Sequence, residues 1–362
     1  MRILQLIKYF DFGGAENHVR ELANSLNTKD HDVFIIGEKG RQVDLLNKEV
    51  RFISMRLKYI FIPLQVVLIC YISLRNKIQI IHAHQRLPIL IACIVGKITG
   101  IPVIVTVHGR TRYDLRSSIS RKYCKKIIFV SQYVLEVSAR YEEIKYKSIV
   151  IPNWIAVSYD QSEKNPYSIS YISRIDKKHS AVLLLIIQKV IYPLVLKFPM
   201  VTFNIIGDGD FLPEIREEAR KLNNEFKREI CIICGFIPEV RKKILQSDLV
   251  MGVGRVALEA IECGIPVLSI NQRRMGTIIS TGNYLFYRNK NFVAVDNQPP
   301  DEKSLIDLLS NFFNHRLSWQ KESLVLKEYV DEDFNQFKVM FTIEMLYEEI
   351  LNSKNSNKNV LS

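Results

Sequence analysis

The chain has 362 residues, of which 48% are hydrophobic, and a formal net charge of +12. It is long enough for two hydrophobic cores, because domains usually run about 100 to 200 residues each. The basic surplus points to acidic partners, but the mixed basic and aromatic stretches "MRLKYIFIP" and "RTRYDLRSSISRKYCKK" match no zinc finger, RRM signature or basic zipper. Phosphorylated ligands or an anionic membrane surface are therefore expected, and nucleic acid is not.

Residues Ile3 to Ile7 form an apolar, β-branched run of the kind buried in a parallel sheet. "FGGAE" interrupts it. Val19, Leu22, Ala23 and Leu26 then recur at helical spacing before "DVFIIG" reads as a second strand, so the unit is β-loop-α-β. Gly13 and Gly14 either only make the turn or let a ligand approach the amides at the helix start. "GGAE" is not G-x-G-x-x-G and does not argue for a dinucleotide cofactor. The apolar start lacks a small-residue cleavage site, so no signal peptide is expected.

The most hydrophobic segment, "YIFIPLQVVLICYISL" from Tyr59 to Leu74, is too short and too interrupted by Pro63 and Gln65 to span a bilayer comfortably. It is expected to be a packed helix. "IQIIHAH", "IPVIVTVHG", "KKIIFVSQ" and "KSIVIPN" continue as strands separated by helices, which predicts a doubly wound first domain. A polar connector runs from Asn153 to Pro166. The alternation then restarts with "SISYISR", a long apolar helix through Ile191, "VTFNIIGDGD", a charged helix, "EICIICGFI" and "DLVMGVGRVALEAIECGIPVLSI", a second parallel α/β domain.

Six cysteines, Cys70, Cys93, Cys124, Cys231, Cys234 and Cys263, lie mostly in apolar runs, as reduced thiols of a cytoplasmic protein do. Cys231 and Cys234 have CxxC spacing, but a strand would point them to opposite faces, so neither zinc nor redox chemistry is expected there.

Two α/β domains of similar size generally hold a ligand in the cleft between them, on loops at the carboxyl ends of the strands. The richest such loop is "MGVGRVALEAIECGIPV": Gly252 and Gly254 free the backbone, Arg255 adds charge, and a helix beginning near Val256 offers amides and its positive dipole end to an anion. Glu259, expected in the first turn or so, either serves that dipole or accepts hydrogen bonds from vicinal hydroxyls such as those of a ribose.

In order, "FGGAE", "HAH", "VTVHG", "VIPNWI", "YISRIDKK", "IIGDGD" and "GRVALEAIECGIPVLS" resemble the retaining glycosyltransferases of family 4, over roughly residues 1 to 290. The resemblance implies an α/β fold of the GT-B type, two Rossmann-like doubly wound parallel-sheet domains facing across a cleft. The expected division is an acceptor-binding domain over 1–158, a nucleotide-sugar-binding domain over 159–334, a helix over 335–352 crossing back to the first domain, and a disordered tail over 353–362.

The resemblance also implies site residues. In the family an arginine and a lysine clamp the donor diphosphate; here they are Arg174 and Lys178 in "SRIDKKHS", with an alternative alignment that puts His179 in the lysine's place. Such cations neutralise the leaving diphosphate, so no metal is implied. Glu259 matches the ribose-binding second glutamate of the family's paired-glutamate pattern. The first, which contacts the transferred sugar, would fall at Met251, leaving that contact to amides around Gly252 to Gly254 or to other side chains. Gly207, Gly209, Arg255 and Val256 complete the donor side, and Gly13 and Gly14 are expected against the donor phosphates or the acceptor. His108 matches a histidine that faces the donor sugar, where a neutral imidazole donates to a hydroxyl or stabilises charge at the anomeric carbon; the alternative is a core histidine at a strand end. His82 and His84 sit at another strand end, and His84 is assigned with Glu16 to the acceptor side.

The expected reaction moves a sugar from a nucleotide-sugar, UDP- or GDP-linked, to a sugar or lipid-linked acceptor hydroxyl. It proceeds with retention, in hexosyltransferase-like fashion, without cofactor or metal, in surface-polysaccharide or lipopolysaccharide assembly. Two other classes stay open: a nucleotide-sugar epimerase of the same architecture, and a catalytically silent nucleotide-sugar-binding protein, suggested by Met251. Arg56 and Lys58 before the apolar segment, with Arg75 and Lys77 after it, predict peripheral contact with the inner face of an anionic membrane.

Overall fold

The computed structural model describes residues 1–11, 13–109, 115, 117–138, 142–155, 162–294 and 298–359, with side chains described to Ser353. The chain divides into two compact units, Met1–Trp154 with Gln336–Ser362, and Ile155–Asn335. The boundary expected between residues 158 and 159 lies outside the described residues.

Unit 1 is built on strands β1 (Arg2–Phe10), β2 (Asp32–Lys39), β3 (Arg51–Ser54), β4 (Ile80–His84), β5 (Val103–Val107), β6 (Cys124–Phe129) and β7 (Ser148–Val150). They form one sheet in the order β3-β2-β1-β4-β5-β6-β7, parallel throughout. Both faces are covered, which is why the strands read as unbroken apolar runs. Leu4, Leu6, Ile81, Ala83, Val103 and Val105 belong to the core on one face. Ile3, Ile7, Ile80 and Ile104 belong to the core on the other, which is shared with Val19, Leu22, Ala23 and Leu26 of helix Gly14–Asn27. The register sets Gln5 beside His82 and His84 beside Thr106, a polar line across that second face.

Helix Gln336–Asn359 belongs to unit 1 and closes the same core with Val339, Met340, Ile343, Leu346 and Tyr347. It overruns the expected end at residue 352 and replaces most of the expected disordered tail, because the sequence after Leu351 contains neither glycine nor proline to stop it. Residues 360–362 lie outside the described residues.

Helix Ile62–Arg75 packs one stripe inward and leaves a broad apolar stripe exposed. Its inward stripe is Gln65, Val66, Ile69 and Ser73, whereas Leu64, Val67, Leu68, Tyr71 and Leu74 face solvent along with Ile60, which is 79% exposed.

Unit 2 carries β8 (Ser168–Ile172), β9 (Thr202–Ile206), β10 (Cys231–Gly235), β11 (Leu249–Gly252), β12 (Val267–Ile270) and β13 (Met275–Ile278), in the order β10-β9-β8-β11-β12-β13. The sheet is parallel except for β13, which pairs antiparallel with β12. The helical run Lys177–Lys197 is long and apolar enough to cross a membrane, yet half of it is buried in this unit. It contributes Leu183, Ile186, Ile187, Val190, Ile191 and Leu194 to the core. A π-helical turn at Ile186–Val190 precedes Pro193, whose missing N–H and bulky ring cannot continue an α-helical ladder. All six cysteines are free thiols.

The loop after β8 is held by backbone bonds from Ser173 N–H to the Ile206 carbonyl (3.1 Å) and from Ile175 N–H to the Asp208 carbonyl (2.9 Å). Gly207, at φ 147°, lies so close that a Cβ there would collide with the Ser173 carbonyl oxygen. Gly207→Ala is therefore expected to destabilise unit 2 by about 3 kcal/mol or more. The measurement is urea unfolding, and an unchanged midpoint would show that the 173–176 loop gives way without cost.

Candidate active site

In unit 2 the chain passes from β8 to β9 on one side and from β11 to β12 on the other. Loops that diverge in this way open a crevice at the carboxyl edge of a parallel sheet. Arg174 stands in the β8 loop, exposed, with Ser173 Oγ donating to its carbonyl at 3.0 Å. Gly207 and Gly209 lie against this loop. The space a side chain would take at each is filled by the backbone of Ser173 and of Ile175, so the two glycines support the Arg174 loop.

Asp176 caps helix Lys177–Leu185, accepting from the amides of Lys178 (2.9 Å) and His179 (3.1 Å) and from His179 Nδ1 (2.7 Å). Desolvation works against the Asp176 carboxylate, but the bonds from the His179 ring and from both amides outweigh it and hold its pKa below the ordinary value. His179 is thereby tied to Asp176, and of the two residues offered for the family's lysine it is Lys178 that is exposed, in the first helical turn. Lys177 and Lys178 both stand against the helix dipole, an arrangement that an anion bound at this helix start would relieve.

β11 ends at Gly252, and only Val253 and Gly254 separate it from helix Arg255–Glu262, which Gly254 caps at φ 60°. The helix starts at Arg255, so Glu259 falls in the second turn, beyond the cap and first turn expected for it. Arg255 Nε donates to Glu259 Oε1 at 2.7 Å, with the two side chains only 12% and 20% exposed. The two expected donor ligands are thus bonded to each other. The Val256 side chain fills the space above Gly252. Met251 is fully buried in the unit 2 core, inside β11. Position 251, where the resemblance places the family's first glutamate, is thus the third residue of a strand, and its buried thioether has no carboxylate to offer a sugar hydroxyl.

In unit 1 the carboxyl ends of β1, β4 and β5 carry the remaining residues. Gly13 caps helix Gly14–Asn27 at φ 145°, and a Cβ on Gly14 would meet nothing within 4 Å, so the helix start is open there. Glu16 is 7% exposed and accepts from Gln85 Nε2 at 2.7 Å, while Gln85 Oε1 accepts from the Lys8 amide at 3.2 Å. Glu16 therefore also links the ends of β1 and β4. His82 is a core residue, bonded to Tyr347 Oη and to Thr106 Oγ1 at 2.7 Å each. His84 Nδ1 lies 3.0 Å from His108 Nε2.

The sequence reading missed His18. Its ring lies 4.6 Å from that of His108 and 4.3 Å from that of Trp154, and its Nδ1 is 3.2 Å from Asn153 Oδ1. The signal was available: His18 precedes Leu22 by one helical turn on the buried stripe of its helix. One ring nitrogen from each of His18, His84 and His108 lies within 4.8 Å of the others, a set that could hold a metal ion.

The description "Glycosyltransferase Family 4" matches residues 12–159, and "Glycosyl transferases group 1" matches residues 166–311. The chain belongs to glycosyltransferase family 4. It is 23% identical over 284 residues to an uncharacterized glycosyltransferase of Methanocaldococcus jannaschii, covering 70% of this chain and 76% of that one. It is 21% identical over 302 residues to one component of the human phosphatidylinositol N-acetylglucosaminyltransferase, covering 72% of this chain and 60% of that one. The Anabaena protein HepE, solved in complex with UDP and glucose, superposes with a TM-score of 0.75 at 16% identity, over 96% of this chain and 99% of that one. The fold of this family 4 enzyme is GT-B, with two Rossmann-like units.

The histidines of the glycosyltransferase carry a pH dependence. Burial first, and then the nearby His108, push the His82 pKa down to about 3. Burial, then His82, His108 and His18, hold His84 well below the ordinary value. Both groups bind protons more readily unfolded, so their contribution is complete above an unfolded pKa of about 6.5 and is lost as the pH falls toward the folded values. The slope approaches about 1.4 kcal/mol per pH unit for each histidine. The melting temperature is expected to fall between about pH 6.5 and pH 5 more steeply for the wild type than for His82→Gln. Equal slopes would mean that His82 takes up its proton in the folded state.

Proposed function

We propose that this glycosyltransferase moves a sugar from a nucleotide-sugar, UDP- or GDP-linked, to a hydroxyl of a sugar or lipid-linked acceptor, with retention at the anomeric carbon. The observation that carries this reading is the pairing of exposed Arg174 and Lys178 on the β8 loop and the helix that follows it, beside the crevice opened by β8 and β11. Breaking the glycosidic bond to a nucleoside diphosphate leaves growing negative charge on the β-phosphate. Fixed cations that meet that charge in the transition state accelerate the step without a metal. Glu259 accepts from the vicinal hydroxyls of the ribose, and His108 donates to a hydroxyl of the transferred sugar. No side chain is assigned as a nucleophile, so the acceptor oxygen attacks the face that the diphosphate leaves, and its proton passes to the departing phosphate oxygen. The complex of HepE with UDP and glucose favours a uridine donor, and hexosyl transfer in surface-polysaccharide or lipopolysaccharide assembly follows from the family resemblance.

The reading as a silent binding protein rests on Met251 in place of the family's first glutamate, and donor turnover separates it, since a silent protein would bind the donor without releasing nucleoside diphosphate. The epimerase reading is separated by assay, since donor incubated alone would then return as its epimer. A thermal-shift panel of UDP, GDP, ADP and CMP identifies the base, because a ligand of the native state raises the melting temperature with its occupancy. Arg174→Ala is expected to lower kcat by about 100-fold and Lys178→Ala by about tenfold. Unchanged turnover in Arg174→Ala would remove the diphosphate clamp. Glu259→Gln is expected to weaken nucleotide binding by about tenfold with the fold intact, and unaltered affinity would return Glu259 to a partner of Arg255 alone.

Anionic lipid is the partner we assign to the outward stripe of helix Ile62–Arg75. A helix that packs Val66 and Ile69 with Gln65 and Ser73 against the core still leaves Leu64, Val67, Tyr71 and Leu74 exposed as an apolar stripe, and Arg56, Lys58, Arg75 and Lys77 flank the stripe with charge suited to headgroups. Each such cation contributes on the order of 1 kcal/mol near an anionic surface. Co-sedimentation with anionic vesicles at low salt is expected, reduced in high salt, with neutral vesicles and in Leu64→Asp/Val67→Asp. Equal pelleting with anionic and neutral vesicles, or none with either, counts against a lipid partner.

A further inference from the structure

His84 is completely buried at the end of β4. Its Nδ1 lies 3.0 Å from His108 Nε2, the rings stack with centroids 5.3 Å apart and planes 29° apart, and its own Nε2 has no hydrogen-bond partner. A neutral imidazole has one N–H and one lone pair, so the short contact can be made in two ways. If His108 Nε2–H donates, the proton of neutral His84 must sit on Nε2, where it becomes a buried donor with nothing to accept it. If His84 Nδ1–H donates, its buried Nε2 carries only a lone pair. An orphaned buried N–H is the rarer and costlier of the two. A third arrangement, in which His84 is charged and carries protons on both nitrogens, would likewise leave its buried Nε2–H with nothing to accept it.

We propose that His84 is the positioning residue for His108: it donates its Nδ1–H to His108 Nε2 and so fixes His108 as the tautomer that carries its proton on Nδ1. His108 then has its basic nitrogen taken by His84 and carries its proton on the other. His18, in edge-on contact with His108 at 77° and 4.6 Å between centroids, bounds the ring on another side. The proposal deepens the reading of His108 as the group that meets the transferred sugar, and rests on it for its catalytic meaning. The proton arrangement itself needs no substrate.

That independence sets the test. In the full chain with nitrogen-15 in its histidines, long-range proton–nitrogen correlation spectra report which ring nitrogen of His108 is protonated, with His108→Gln identifying the signals. Wild type is expected to show the Nδ1–H form. His84→Ala is expected to shift His108 toward the Nε2–H form favoured by a free imidazole, and His84→Asn, which can set an amide N–H near the place of Nδ1, to restore it. In turnover, His84→Ala is expected to lower kcat by about 10- to 100-fold, with nucleotide affinity at the unit 2 site unchanged and His84→Asn recovering much of the loss. A wild-type His108 protonated on Nε2, or one unaffected by His84→Ala, overturns the proposal. So does a His108 spectrum that changes on adding a chelator, since a metal ion among the three rings would have displaced the shared proton. If the tautomers are as stated while neither His84→Ala nor His108→Ala changes turnover, the proton arrangement stands and the reading of His108 beneath it fails.

Discussion

A parallel strand must leave its sheet at the carboxyl end and return over one face or the other, and the candidate residues of each unit depend on where two neighbouring strands leave in opposite directions. In unit 2 those strands are β8 and β11, and in unit 1 they are β1 and β4. The loops that follow are not crossed by their own helices, so they can be short, exposed and rich in glycine at the edge of a rigid sheet. Arg174, Lys178 and Gly254 follow β8 and β11, while Gly13 and Gly14 follow β1, His84 ends β4 and His108 follows its neighbour β5. The hydrophobic cores fix the strands, and the strands fix these residues.

Several groups at those edges are arranged against stability. Lys177 and Lys178 begin a helix whose dipole prefers anions. His84 is fully buried with its Nε2 unpartnered. Arg174 rides on a loop that only glycine at 207 can support from below. Departures of this kind are tolerated where a ligand or a reaction makes use of them, and here they gather at the two switch points rather than scattering over the surface.

The strands were legible because burial on both faces turns each into an unbroken apolar run, and the loops were legible because glycine marks their turns. The parts that were not legible depend on partners distant in sequence. That Gly207 and Gly209 serve the Arg174 loop follows only from the approach of Ser173 and Ile175, which are remote from them along the chain. That Gly252 belongs to β11 rather than to the loop after it follows only from the pairing of Val250, Met251 and Gly252 with Val267, Leu268 and Ser269. The outward turn of helix Ile62–Arg75 was hidden for the opposite reason: nearly every position in it is apolar, so periodicity offered no face to choose.

The Arg255–Glu259 pair sharpens what the nucleotide must do. Both side chains are largely withdrawn from water, so their attraction is screened less than that of a surface pair, and breaking it to leave either partner alone would be costly. A ribose that needs Glu259 therefore gains most by taking the carboxylate positions that Arg255 leaves unused, since a carboxylate accepts on both oxygens. On the function proposed above, Arg255 would be a positioning residue, fixing the Glu259 carboxylate through the bond from its Nε. The two residues read from the sequence as separate ligands form one ion pair in the folded chain.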